Sequence, residues 1–280
     1  MEYVFPFRLA AVDLDHTLLG PDYQISEENR KAIELLQRHG VQIVLASGRL
    51  FQHMIGFHDQ LELDTELICC NGAIITNRRQ EPLQQELVPY QEARRLIDFG
   101  LDSGVTVYSY LRDGVYVSSQ EHWNRYDQSH VGEVPVFFLD PELNEESEVT
   151  KVVYSLPADD VNGFCADIAP FVASGLDCQI TGPETVEIVS LGADKALAFA
   201  RLATYYGYGR EQTLAFGDGA NDATLLGWAG LGVAMDVSAA ITIEASDLQA
   251  PEGDLRTSFA RAVQLVIDQI YGDASEAVAS

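Results

Sequence analysis

Lysine is almost missing from this sequence: Lys31, Lys151 and Lys195 are the only three, beside fourteen arginines. Acidic residues number 43 against 17 basic ones, a formal charge of -26 with histidine neutral. A surface of that sign repels polyanions, which excludes nucleic acid and an anionic membrane as partners. Cysteine is scarce as well. Cys69, Cys70, Cys165 and Cys178 sit mostly in apolar stretches without C-x-x-C spacing, so they read as buried thiols and not as a zinc site or a disulfide frame. No apolar run approaches the roughly 18 residues that span a bilayer. The start, Met1 to Phe7, lacks the basic head and small-residue cleavage site of a secretory leader, so the expected location is the cytoplasm. There is no internal repeat, and only the Ser/Ala-rich tail after Asp273 reads as unordered. What remains is ordinary globular composition: 280 residues, 47% hydrophobic and 21% charged, enough for one large core or two smaller ones.

Strand and helix signals alternate at both ends of the chain. Ser26 is a good helix N-cap, Glu27 and Glu28 suit the positive end of the dipole, and Gly40 suits the residue past the helix end. The apolar runs Leu9 to Val12, Val41 to Ala46 and Leu67 to Cys70 read as strands buried on both faces, as in a parallel sheet. With a helix from Leu50 to His58, the order is βαβαβ, expected to form a doubly wound sheet. After Thr76 the pattern changes. Asn77 to Pro82 is turn material, followed by a helix (Gln91 to Leu101), a hairpin (Val105 to Tyr110, Val115 to Ser118), a strand near Val152, a helix from Asp159 to Val172, and strands near Cys178 and Val186. These mark residues 83–187 as an inserted α+β unit between 1–82 and 188–280. Alternation resumes at Asp194 with a helix from Lys195, strands at Thr213 to Phe216 and Leu231 to Met235, and a last helix from Leu255 to Ile270.

Four short blocks end strands or open helices in the α/β part. In open α/β sheets ligands bind at the carboxyl ends of strands, so these blocks are expected to converge. In Asp13-Leu14-Asp15-His16-Thr17, two carboxylates can meet on one small site where the strand breaks into a loop. Left unpaired they would repel, so they imply a divalent cation, a shared proton, or both. A carboxylate fixed beside a cation is also a nucleophile towards phosphorus. Ala46-Ser47-Gly48-Arg49 offers a hydroxyl and backbone N–H groups at a helix start, either a phosphate cradle or an ordinary cap. Lys195 opens a helix at the same edge and supplies a point cation in a chain with few. In Gly217-Asp218-Gly219-Ala220-Asn221-Asp222, a carboxylate follows a buried strand and oxygen donors cluster as magnesium prefers; Asp222 by itself also fits a helix N-terminal acid.

The order D-x-D-x-T, S-G-R, K, G-D-G-x-N-D resembles the four motifs of the haloacid dehalogenase superfamily of phosphotransferases. The long insertion resembles the Cof-like, type IIB capped branch, as do Cys70-Asn71-Gly72-Ala73 and Gly232-Val233-Ala234-Met235. The resemblance implies a doubly wound, Rossmann-like α/β core with an inserted α+β cap. It also implies a Mg²⁺-dependent phosphatase of small phosphorylated metabolites (sugar phosphates or phosphorylated cofactors). In that scheme Asp13 becomes an aspartyl phosphate, and Asp15 protonates the leaving alcohol and then activates water. Asp13, the Asp15 carbonyl and Asp218 hold the metal, and Asp222 supports its shell through water. Ser47, Lys195 and Asn221 hold phosphoryl oxygens, and Thr17 fixes the first loop. His16 stands where the branch most often has glycine, tolerable if φ stays negative, and is expected at the pocket mouth. Met235-Asp236 departs from the branch's glycine-asparagine pair without touching a catalytic atom.

Candidate substrate contacts are Arg49, Asn71, His16 and, in the aromatic cluster Glu121 to Tyr126 of the cap, His122 and Arg125; the same cluster also suits a half-buried helix with Trp123 in the cap core. A sugar-phosphate mutase or a dedicated sucrose-phosphate-type phosphatase would carry the same core motifs. A phosphometabolite sensor would have a broken catalytic set, whereas here Asp13, Asp15, Lys195, Asp218 and Asp222 are all present. A cap that shields the cleft in cis removes one reason to dimerise, so a monomer is expected.

Overall fold

The computed structural model describes residues 5–119, 135–138, 141–182 and 184–279. Its centre is a parallel sheet of β1 (Leu9–Val12), β2 (Gln42–Leu45), β12 (Thr213–Gly217), β13 (Leu231–Ala234) and β14 (Leu248–Gln249), in the order β14-β13-β12-β1-β2. β1 lies inside the sheet between β12 and β2, with Val12 paired to Phe216 on one side and Leu45 on the other. Its residues alternate between two apolar layers. Ala10 and Val12 face a cluster with Ile33 and Leu36 of α1 (Glu27–Arg38) and Phe259, Val263 and Val266 of α8 (Ser258–Ala279). Leu9 and Ala11 face Ala198, Phe199 and Leu202 of α5 (Lys195–Tyr206) and Leu225 and Leu226 of α6 (Ala223–Trp228). Helices on both faces explain why the strands are apolar without alternation. The expected cap operates at α1, where Ser26 Oγ accepts the Asn29 N–H at 3.1 Å and Gly40 follows with φ +80°.

The third strand departs from expectation. β3 (Leu67–Cys69) meets the end of β2 through one parallel bridge, Ala46 to Ile68, and its ladder is antiparallel, with β4 (Ile74–Thr76), which continues into β5 (Pro82–Gln85). The cause is the turn at Cys70-Asn71-Gly72, three consecutive residues with positive φ (52°, 56° and 95°), which folds the chain back before a crossover helix can form.

Between α2 (Phe51–Gln60) with its hairpin and α5, the chain builds a second sheet. It runs in the order β10-β11-β9-β6-β7-β8 and contains β6 (Thr106–Leu111), β7 (Gly114–Val117), β8 (Val136–Phe137), β9 (Val149–Ser155), β10 (Leu176–Gly182) and β11 (Thr185–Ser190). One face packs on α3 (Tyr90–Asp102) and α4 (Val161–Ile168) through Ile97, Val107, Tyr154, Phe164 and Ile188. The other places Tyr108, Tyr110, Val153 and Val189 in one apolar cluster with Cys70 and Ala73. The helix expected over Asp159 to Val172 is shorter than its pattern: α4 ends at Ile168 and gives way to a tighter turn around Pro170, which has no N–H to extend the ladder.

At the other end, α8 continues to Ala279, through the tail that composition marked as unordered; alanine's helix propensity carries it. The departure at Asp236 has a structural purpose, since its carboxylate accepts from Ser258 Oγ, the Gly253 N–H and Arg261 Nη2 (2.6 Å) and so pins the start of α8. The four cysteines are free thiols, two of them buried. Among the described residues no helix is long and apolar enough to cross a membrane.

Candidate active site

Because Val12 pairs with Phe216, the strands β1 and β12 end side by side, and Asp13 and Asp218 leave the sheet at nearly the same level. The Asp13 N–H still donates to the Phe216 carbonyl at 3.0 Å. The chain then makes a wide turn closed by the Leu18 N–H on the Asp13 carbonyl and the Leu19 N–H on the Leu14 carbonyl. That turn needs one left-handed residue, and His16 supplies it with φ +57°. The expected negative φ is therefore wrong: His16 carries strain of about 1 kcal/mol, and its ring is exposed to solvent.

Lys195 arrives from a different direction. Asp194 caps α5 by accepting the Leu197 N–H at 2.9 Å, and the carbonyl of Asp194 presses on Gly72, where a Cβ would stand 2.3 Å from it. With φ +95° as well, only glycine fits at 72, and this close approach sets the start of α5 against the β3–β4 turn. Lys195 Nζ then donates to one oxygen of Asp13 and one of Asp222, each at 2.7 Å. All three are buried, Lys195 and Asp222 to 1% exposure and Asp13 to 5%. The second oxygen of Asp222 accepts the N–H groups of Asp218 and Gly219 (3.1 and 3.0 Å). Thr17 Oγ1 donates to Asp218 at 2.8 Å, joining residues 201 positions apart.

Three carboxylates and one ammonium leave this network two negative charges in excess. Burial, with Asp222 and Asp218 close by, raises the Asp13 carboxyl well above the usual carboxylate range in spite of Lys195. Burial and the neighbouring Asp222 push Asp218 up to about 7. Burial alone would lower Lys195, but Asp13 and Asp222 outweigh it and hold the amine protonated. Carboxylate oxygens of Asp13, Asp218 and Asp222 lie within 4.8 Å of one another. An all-oxygen donor set with a charge excess of two fits a hard divalent cation such as Mg²⁺. Asp222, with both oxygens engaged by protein groups, suits an indirect role in holding it.

Carboxyls raised in the folded state bind protons that the unfolded chain has already lost, so the metal-free protein loses stability as pH climbs from about 4 to about 7. The expected loss is on the order of 4 kcal/mol. Millimolar Mg²⁺ should remove most of it, as measured by thermal melts at pH 5 and pH 7.5 with and without the ion. Melts that do not depend on Mg²⁺ would count against a cation site here.

The remaining predicted residues form a rim. Ser47 is 1% exposed; its Oγ accepts the Arg49 N–H at 3.3 Å and its carbonyl accepts the Asn71 N–H at 3.0 Å. Asn221 Nδ2 donates to Asn71 Oδ1 at 2.8 Å, so these two candidates hold each other at the cleft edge. Arg49 turns to Asp15, not to open solvent, with Nε on one carboxylate oxygen at 2.8 Å and Nη2 on the other. His53 of α2 stands nearby; burial and then the Arg49 charge push it down to about 4, so its ring is neutral at pH 7. His122 and Arg125 lie outside the described residues. The sequence did not reveal the Thr17–Asp218 bond, the Asn71–Asn221 pair or the Arg49–Asp15 contact. Only Asp194, an acid just before an apolar helical run, carried a readable signal.

A family model described as haloacid dehalogenase-like hydrolase matches residues 10–254. The putative phosphatase YxeH of Bacillus subtilis is 28% identical over 250 residues, covering 87% of this chain and 92% of the relative. The 5-amino-6-(5-phospho-D-ribitylamino)uracil phosphatase YitU of the same organism is 28% identical over 232 residues, 81% of this chain and 86% of the relative. The HMP-PP phosphatase of Klebsiella pneumoniae is 28% identical over 236 residues, 81% and 84% of the two chains. Among solved structures, a haloacid dehalogenase-like hydrolase from Bacteroides thetaiotaomicron matches with TM-score 0.83 at 22% identity, over 93% of this chain and 99% of its own. The subclass IIB sugar phosphatase BT4131 matches with TM-score 0.75 at 21% identity, over 92% and 98%. With nearly the whole core matched and the acid cluster intact, this chain belongs to the haloacid dehalogenase-like hydrolase family and is an enzyme of its phosphatase type.

Proposed function

We propose that this protein is a Mg²⁺-dependent phosphomonoester hydrolase that works through a phosphorylated Asp13, on sugar phosphates or phosphorylated cofactors. The observation that carries the reading is the buried Asp13 carboxylate, tied by one oxygen to Lys195 inside a cluster that lacks two positive charges. Relatives named as phosphatases of small phosphorylated compounds support the substrate class.

In this scheme an oxygen of Asp13 forms a bond to phosphorus while the bond from phosphorus to the leaving oxygen breaks. The leaving oxygen keeps that electron pair and takes a proton from Asp15. Asp15, now a carboxylate, removes a proton from water as the water oxygen attacks the same phosphorus, and Asp13 departs as a free carboxylate with inorganic phosphate released. Lys195 holds Asp13 in place and offsets charge on the phosphoryl oxygens. Ser47 and Asn221 border the space where those oxygens would sit. A Mg²⁺ bound by Asp13, the Asp15 carbonyl and Asp218 would neutralise charge on the transferring group. Residues 83–187 act as the cap that excludes water and chooses the leaving group.

Phosphate release from a panel of phosphorylated metabolites, with Mg²⁺ or with EDTA, tests the proposal. Mg²⁺-dependent release from one or several compounds is expected. Release that is indifferent to EDTA, or no release from any compound by a protein that Mg²⁺ stabilises, would overturn it.

A further inference from the structure

The left-handed turn Cys70-Asn71-Gly72 touches three of the four blocks that build the site. The Cys70 N–H donates to the Arg49 carbonyl at 2.9 Å, and Gly72 lies against the Asp194 carbonyl that precedes Lys195. Asn71 joins two blocks by itself. Its N–H donates to the Ser47 carbonyl at 3.0 Å, and its Oδ1 accepts Asn221 Nδ2 at 2.8 Å, a bond between residues 150 positions apart. The sheet cannot set that spacing. Ser47 follows β2 and Asn221 follows β12, and these strands lie on opposite sides of β1, roughly 10 Å apart, with no ladder between them. The two loops therefore flank the strand end that carries Asp13, and the Asn71 side chain bridges them. Its amide lies across Gly48, where a Cβ would stand 3.0 Å from Oδ1 and 3.3 Å from Nδ2, so glycine at 48 leaves room for the bridge. Asparagine is also one of the few residue types that accept the φ of +56° at 71. Asn71 is half-buried and Asn221 exposed, so their bond adds little stability and its value is geometric. Ser47, at 1% exposure, accepts the Arg49 N–H, while its own hydroxyl hydrogen meets no acceptor among the described residues and is left to donate.

We propose that Asn71 is a positioning residue that holds the Asn221 amide at a fixed distance from Ser47, so that the two side chains receive phosphoryl oxygens as one preset pair. The inference rests on the phosphatase reading above, in which Ser47 and Asn221 hold those oxygens. It moves Asn71 from contact with the leaving group to support of the phosphate cradle. Without the bridge, each phosphate has to order the Asn221 side chain as it binds, which costs about three- to tenfold in affinity.

Inorganic phosphate, titrated by calorimetry into the protein with Mg²⁺ present, reads the cradle without turnover. Asn71→Gly removes the amide and keeps the left-handed backbone. It is expected to weaken phosphate by about three- to tenfold while melting close to the wild type. In the Asn221→Ala background the same change should cost under about twofold, because the group it positions is already gone. Equal losses in the two backgrounds, or wild-type affinity in Asn71→Gly, would overturn the proposal. So would an Asn71→Gly protein that does not fold, since the turn would then be structural and not a positioning device. A crystal structure of Asn71→Gly gives a readout independent of phosphate: Asn221 should occupy more than one rotamer, and a single unchanged orientation would overturn the positioning role. If the wild-type protein bound no phosphate and released none from any ester, that result would count against the phosphatase reading, and the Asn221 rotamers would decide the role of Asn71 on their own.

Discussion

Asp13→Asn is expected to reduce phosphate release by about 10⁴-fold or more while leaving the protein folded. The substitution keeps shape and volume, and the amide oxygen of asparagine can still accept the Lys195 hydrogen bond that now measures 2.7 Å. What disappears is the proposed nucleophile. What also disappears is a buried negative charge facing Asp222 and Asp218, which burial and those neighbours already disfavour. Without metal, the variant should therefore melt at or above the wild-type temperature at pH 7.5, and the gain should shrink as pH falls, because the raised wild-type carboxyl takes up a proton more readily than an ordinary carboxylate. Phosphate assays and melts on one preparation check both halves. A variant that keeps a tenth of the activity would place the nucleophile elsewhere, and one that melts well below wild type would mean that Asp13 is chiefly structural.

The parts of this arrangement that were legible in the sequence are those set by local chemistry. Apolar runs gave β1, β2, β12 and β13, the Ser26 cap gave the start of α1, and the alternation resuming at Asp194 gave the start of α5. Carboxylates placed just past strand ends gave Asp13 and Asp218. The parts that were not legible depend on partners far along the chain or on backbone angles. Nothing near Thr17 announces a bond to Asp218, and nothing near Arg49 announces that its fork closes on Asp15. The reversal at β3 needs three left-handed residues, of which Asn71 and Gly72 are of types that take that region readily and Cys70 is not. Two elements, α7 (Ala240–Ala245) and β14, are too short to show a period. The interruption at Pro170 is a different case. A proline without an N–H inside a helical pattern is readable, and here it outweighs the apolar spacing around it.

Lys195→Met should be the most destabilising single change at the site. Methionine keeps most of the apolar stem, so the cost falls on the lost charge and not on a cavity. Asp13 and Asp222, at 5% and 1% exposure, would face each other and Asp218 with no cation among them. Removing one partner of a buried ion pair costs about 3–5 kcal/mol. The sign with pH is fixed by the same charges. In the wild-type protein Lys195 is held protonated above its usual range, so its contribution stays whole across neutral pH and fades only in strong alkali. In the variant the Lys195 charge no longer lowers Asp13 and Asp218, so its deficit should be smaller at pH 5, below the value near 7 of Asp218, and grow towards pH 8. Mg²⁺ should return part of the lost stability, because a divalent ion can supply the missing charge. It should not return turnover, because the group proposed to orient Asp13 and offset phosphoryl charge is gone. Denaturant melts at pH 5 and pH 8, each with and without Mg²⁺, together with phosphate release, test this. A deficit independent of pH would mean that packing of the lysine stem, and not its charge, holds the site together.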